Sequence, residues 1–138
     1  MQGELGWGEH REATVGTVAG VLERDPLVRC GHGHSAAATH DAGVADTIRQ
    51  RCLTALPRAR RRRLRGDACT ACGAEMTMPV RRTERGVTVD GVADLPALTL
   101  RFDLPMSRCP ACAFDQVPSR SHADLHAVVT ALTAPSQE

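Results

Sequence analysis

The sequence predicts a small α+β protein, and three observations carry that prediction. Two cysteine pairs, Cys69/Cys72 and Cys109/Cys112, repeat the spacing C-x-x-C with 36 residues between them. The run Leu98-Thr99-Leu100-Arg101-Phe102-Asp103-Leu104 alternates apolar and polar residues at the strand period. Two other stretches, one before and one after the cysteine pairs, place apolar residues at helical spacing.

Taken in order, residues 1–28 suit a strand or hairpin. Val15, Thr17, Ala19 and Val21 alternate with their neighbours, Gly16 and Gly20 weaken a helix, and Asp25-Pro26 marks a break. CGHGHSAAATH at 30–40 reads as a Gly/His-rich loop. A helix is expected from Asp41, its candidate N-cap, to Leu56, with Val44, Ile48, Cys52 and Leu56 on one stripe and Pro57 ending it. An arginine-rich stretch follows. Met76, Met78 and Val80 alternate, as do Val87 and Val89, with turns expected at Glu84-Arg85-Gly86 and Asp90-Gly91. After the second cysteine pair, Ser121-His122-Ala123-Asp124 resembles a capping box, and Leu125, Val128, Val129 and Leu132 form the buried stripe of a C-terminal helix. The expected organisation is an N-terminal segment at 1–57, an Arg-rich linker at 58–66 and a ribbon domain at 67–134.

The core available to these elements is meagre. Leu, Ile, Val and Phe number 27 of 138 residues, and the aromatics are Trp7, Phe102 and Phe114. A fraction that low signals disorder when net charge is high, but the formal charge here is +1. A small fold held by a metal staple resolves the conflict, since structural zinc contributes on the order of 10 kcal/mol in small metallo-domains. MQGELGWGEH lacks the basic and apolar regions of a secretory signal, and no stretch has the length of an apolar membrane span. A cytoplasmic protein is the expectation, in which paired cysteines serve as metal ligands more often than as disulfides.

Two residues between cysteines let a tight turn aim both sulfurs at one ion, and two such turns complete the four-thiolate shell that Zn2+ favours. Cys72-Gly73 has the glycine that eases a positive φ after the second cysteine, whereas Cys112-Ala113 does not. Cys109-Pro110-Ala111-Cys112 also fits a redox dithiol, but Gln116-Val117-Pro118 interrupts the helix such a motif should open. From CTACGAEM through SRCPACAFDQVPSRSHADLHAVVTAL, residues 67–133 resemble the zinc-finger domain of YgiT-type antitoxin proteins. That resemblance implies a hairpin between the two cysteine pairs, a following helix and a structural, protein-contacting role. No helix-turn-helix follows the finger, so the resemblance does not extend to DNA binding.

Further candidates remain. Cys30, His32 and His34 alternate along CGHGH and can converge on a second metal, with His40 or Cys52 as a fourth ligand; Cys52 also lies on its helix's apolar stripe, as a buried thiol would. His122 and His126 stand four apart, but the sequence between them lacks the glutamate of H-E-x-x-H, and they read as solvated. Arg58, Arg60, Arg61, Arg62, Arg63 and Arg65 form a dense basic block suited to phosphate backbones, although no Tyr or Phe platform accompanies it in sequence. The function expected is a non-catalytic zinc-ribbon binding module that contacts a protein partner or nucleic acid through this patch. The alternative is a metal-handling protein or metalloenzyme using Cys30/His32/His34.

Overall fold

A computed structural model of the chain describes residues 4–7, 11–23, 26–29, 35–37, 42–62, 66–76, 80–92 and 97–134. The fold is α+β, with antiparallel sheets and a C-terminal helix.

The central sheet is built on two long strands, β9 (Arg81–Val89) and β10 (Leu98–Arg108). They pair from Val89↔Leu98 to Arg81↔Met106. The other side of β10 carries β3 (Val18–Leu22) from Leu100 to Asp103, and β3 in turn pairs with β2 (Arg11–Val15). Beyond β3, the far end of β10 pairs with β11 (Asp115–Gln116) through Ser107 and Arg108. Pro105 falls in the gap between these two partners, where a missing N–H costs no ladder bond on that side.

The hairpin expected near the N-terminus is β2–β3. Gly16 stands at φ +56 in its two-residue turn, the first central position at which a type II′ hairpin favours glycine. Gly20 serves a different need. A Cβ there would lie 2.7 Å from Val128 and 3.0 Å from both Leu132 and Phe102, so its absence lets the sheet approach the C-terminal helix.

Two helices complete this layer. α1 (Ala42–Ala55) buries Ala45, Ile48 and Cys52, and burial pushes the Cys52 thiol up to about 12. α2 (His122–Thr133) buries Leu125, Val128, Val129 and Leu132. It packs on β2, β3 and α1, while α1 also touches β9. Val18, Leu22, Ile48, Leu56, Leu100, Phe102, Leu104, Leu125 and Leu132 belong to one buried cluster, so residues from both halves of the chain share a core. Burying an aliphatic or aromatic side chain of this kind contributes about 1.5–3 kcal/mol relative to exposure.

Two further sheets have three strands each. One consists of β1 (Glu4–Trp7), β4 (Pro26–Arg29) and β5 (Ser35–Ala37), with β4 in the middle. The other consists of β6 (Arg60–Arg61), β7 (Asp67–Ala68) and β8 (Glu75–Met76), and it leads into the first cysteine pair.

Three local expectations are corrected. Ser35–Ala37, within the stretch expected to be a loop, is a strand, because β4 offers it a partner edge. Glu84-Arg85-Gly86 is not a turn but the middle of β9, because β10 offers an uninterrupted partner there and the diagonal Arg82 Nε–Asp103 Oδ1 ion pair (2.8 Å) ties the strands. The capping box at α2 does not form either. Ser121 makes no side-chain cap bond, and Asp124 instead accepts hydrogen bonds from Thr17 N and Thr17 Oγ1 (both 3.2 Å), anchoring the β2–β3 turn to the first turn of α2. The N-cap expected at Asp41 lies outside the described residues.

Candidate metal centre

Each cysteine pair sits in a tight knuckle, and the two are built alike. In the first, between β7 and β8, Gly73 N donates to Cys69 O (2.8 Å) and Cys69 N to Ala74 O (2.8 Å). In the second, between β10 and β11, Ala113 N donates to Cys109 O (2.9 Å) and Cys109 N to Phe114 O (3.0 Å). Each turn needs a left-handed residue directly after its second cysteine, with Gly73 at φ +80 and Ala113 at φ +63. Among the described residues Ala113 is the single non-glycine at positive φ. The turn geometry thus prevails over alanine's preference at a cost of about 1–2 kcal/mol.

The knuckles bring all four sulfurs together. Every Sγ of Cys69, Cys72, Cys109 and Cys112 lies within 4.8 Å of the others. Across the knuckles, the Cys69 and Cys112 sulfurs stand 3.5 Å apart and those of Cys72 and Cys109 3.6 Å apart. Tetrahedral zinc at a Zn–S distance of about 2.3 Å would separate its sulfurs by about 3.8 Å, so this donor set fits an ion of that size. Cys69 and Cys109 are buried, whereas Cys72 and Cys112 are exposed.

The protonation chemistry follows the same division. At Cys69 burial opposes ionisation, but the N–H groups of Cys72 and Ala71, the Gln116 amide and Cys112 together bring the thiol down to about 6. Cys109 is lowered as well, first by the Cys112 N–H against the effect of burial. At Cys112 the Phe114 N–H favours the thiolate, yet burial and the three neighbouring sulfurs prevail and push it up to about 12. Cys72 is raised too. As free thiols, two members of the set give up protons readily and two retain them. A cation held there would replace the retained protons.

Three side chains that the sequence did not single out as site residues hold the knuckles in place. Gln116 is fully buried; its Oε1 accepts Thr70 N (2.7 Å), while its Nε2 donates to Cys69 Sγ (3.1 Å) and Phe114 O (3.2 Å). It therefore ties one knuckle to the other. Asp115 accepts Arg85 Nη2 (2.8 Å) and Arg108 Nε (3.1 Å), and the Arg108 guanidinium holds its carboxyl below the usual range. Asp67 accepts Ser119 N (2.9 Å) and also bonds Ser119 Oγ, linking β7 to the 3-10 turn Ser119–Ser121 before α2. No sequence motif marks these roles, because each depends on which strands pair.

The arginine block enters the same structure. Val117 N donates to Pro57 O (2.8 Å) and Ala59 N to Val117 O (2.9 Å), with Ala59 fully buried. Arg60 and Arg61 then pair with Ala68 and Asp67. Arg58, Arg60, Arg61 and Arg62 are exposed. Arg62 Nη1 pairs with Glu75 Oε1 (2.7 Å), while the other three have no side-chain ion pair or hydrogen bond among the described residues. Arg63, Arg65, Cys30, His32, His34 and His40 lie outside the described residues. Cys52, the other candidate fourth ligand, is in the hydrophobic core.

The His122 and His126 rings stand 6.5 Å apart at a 48° tilt. Burial first, then the positive charge of Arg58 and His126, holds His122 below the usual imidazole range. Among the described residues no helix is long and apolar enough to cross a membrane. No family model matches the chain, and no curated protein or solved structure matches it.

Proposed function

We propose that this chain is a non-catalytic zinc-ribbon module whose ion holds two knuckles together and so presents a basic strand to a protein partner or nucleic acid. The observation that carries the reading is the four-sulfur cluster, with every Sγ within 4.8 Å of the rest. A four-thiolate shell suits Zn2+ and leaves no position for substrate or activated water, which supports a structural ion. Reduced thiols in this number also suit a cytoplasmic protein. Exposed guanidinium groups without carboxylate partners suit anions, because binding displaces no existing ion pair.

Metal analysis of the purified chain tests this. The expected result is one zinc per chain for wild type and none for Cys69→Ser. A stoichiometry of two, reduced to one by replacing His32 and His34, would instead assign a second site to Cys30/His32/His34 and revive metal handling.

A further inference from the structure

Among the described residues, Phe114 is the large apolar side chain left exposed, at 39% of its full surface. A side chain of that type gains about 1.5–3 kcal/mol from burial, yet the fold leaves it open. Its backbone, by contrast, is fixed. Phe114 O accepts both Cys109 N (3.0 Å) and Gln116 Nε2 (3.2 Å), and Pro110, Ala111 and Ala113 beside it are exposed and too small to cover a ring. The result is an aromatic face on a rigid mount.

The basic strand flanks the same cluster. Arg60 pairs with Ala68, the residue before Cys69. Cys69 Sγ lies 3.5 Å from Cys112 Sγ, and Cys112 precedes Phe114 by two residues. Far apart along the chain, the arginine-bearing strand and the segment that carries the ring are thus both tied to one small sulfur centre. Arg58, Arg60 and Arg61 have no carboxylate partner among the described residues, and Arg62 pairs with Glu75 at the surface.

We propose that the ribbon binds single-stranded nucleic acid, with Phe114 stacking on a base while Arg58, Arg60, Arg61 and Arg62 neutralise neighbouring phosphates. This inference rests on the binding-module reading and names its partner. Unpaired bases beside a charged backbone supply both kinds of contact the surface offers, a π-face for the ring and phosphates for the guanidinium groups. An acidic peptide would use the arginines but supply no planar partner for Phe114. A duplex buries the faces of all but its terminal base pairs in the stack, so a single strand is preferred over a duplex.

The test uses the zinc-loaded full chain and a fluorescein-labelled oligo-dT of about 15 nucleotides, with anisotropy read from roughly 50 to 200 mM salt. Phe114→Ala should weaken binding about 5- to 150-fold with the salt slope unchanged, and Phe114→Trp should restore it. Replacing the four arginines with glutamine should lower the salt slope by up to about 2.8. Zinc content should match wild type in both Phe114 variants, and Phe114→Trp should keep the melting temperature, so that lost affinity in Phe114→Ala is read on folded, zinc-loaded protein. Full affinity in Phe114→Ala overturns the inference and leaves the module reading standing. A wild type that ignores oligo-dT but binds poly-glutamate overturns it in favour of an acidic protein partner. Binding of neither probe overturns the inference, while the module reading is decided by metal content.

Discussion

The two knuckles share one hydrogen-bond pattern but differ in their chemistry. The first has glycine at its left-handed position, and its buried Cys69 receives an additional hydrogen bond from a side chain, that of Gln116. The second places alanine there and continues into the exposed Phe114. It also grows out of β10, a strand already fixed by the hydrophobic core, whereas the first grows out of β7 and β8, strands of two residues each. The contrast shows how one turn can be specified in two ways, by permissive residues and side-chain bonds where the scaffold is slight, or by the scaffold where the residues are less suited.

The largest effects should come from the ligands. Cys69→Ser and Cys109→Ser remove buried sulfurs, and we expect them to lower the melting temperature more than Cys72→Ser and Cys112→Ser, whose positions water can reach. All four should fail to hold zinc through gel filtration. The comparison breaks if the exposed pair proves the more damaging. Acid should act in the same direction. Thiols such as Cys112, raised to about 12, must shed protons to bind metal, so zinc affinity should fall steadily as pH is lowered. Zinc competition with a chromogenic chelator across pH measures this, and a flat profile would contradict it.

Gln116→Ala comes next, at about 1–3 kcal/mol, because Thr70 N loses its acceptor and Cys69 its donor. Amide exchange should quicken at Thr70, while Cys109 N, held by Phe114 O, stays protected. Equal acceleration in both knuckles would mean that Gln116 does not act on the first one specifically. The smallest effects should form a mirror pair. Gly73→Ala should cost, and Ala113→Gly should gain, about 0.5–1 kcal/mol in thermal or denaturant unfolding, the difference between the left-handed penalty on alanine and the backbone entropy of glycine. Two shifts of the same sign would show that the knuckles are not equivalent in conformation.

Much of this was legible from the chain, and the exceptions have physical causes. Cysteine spacing located the cluster because two intervening residues leave few ways to turn. The stripe Leu125, Val128, Val129 and Leu132 located α2, and strict alternation located β10. Glu84-Arg85-Gly86 misled because local turn preference yielded to a partner strand long enough to pair throughout. Ser121 and Asp124 misled because a carboxylate free to cap its own helix bonds Thr17 on another element. The partnership of Phe114 with the arginines was hidden for a third reason. Sequence separation is large, and only the meeting of the two knuckles closes it.

One strand carries both kinds of cohesion. Leu98, Leu100, Phe102 and Leu104 on β10 belong to the buried cluster, and the strand ends at Arg108, directly before Cys109 joins the sulfurs. Side chains on a strand change sides at each step, so the count from Leu104 to Cys109 acts as a fixed ruler. Inserting a single residue within it would rotate Cys109 away from the ion or pull Leu104 out of the interior. Length is therefore under tighter constraint at 105–108 than the identities of the side chains there.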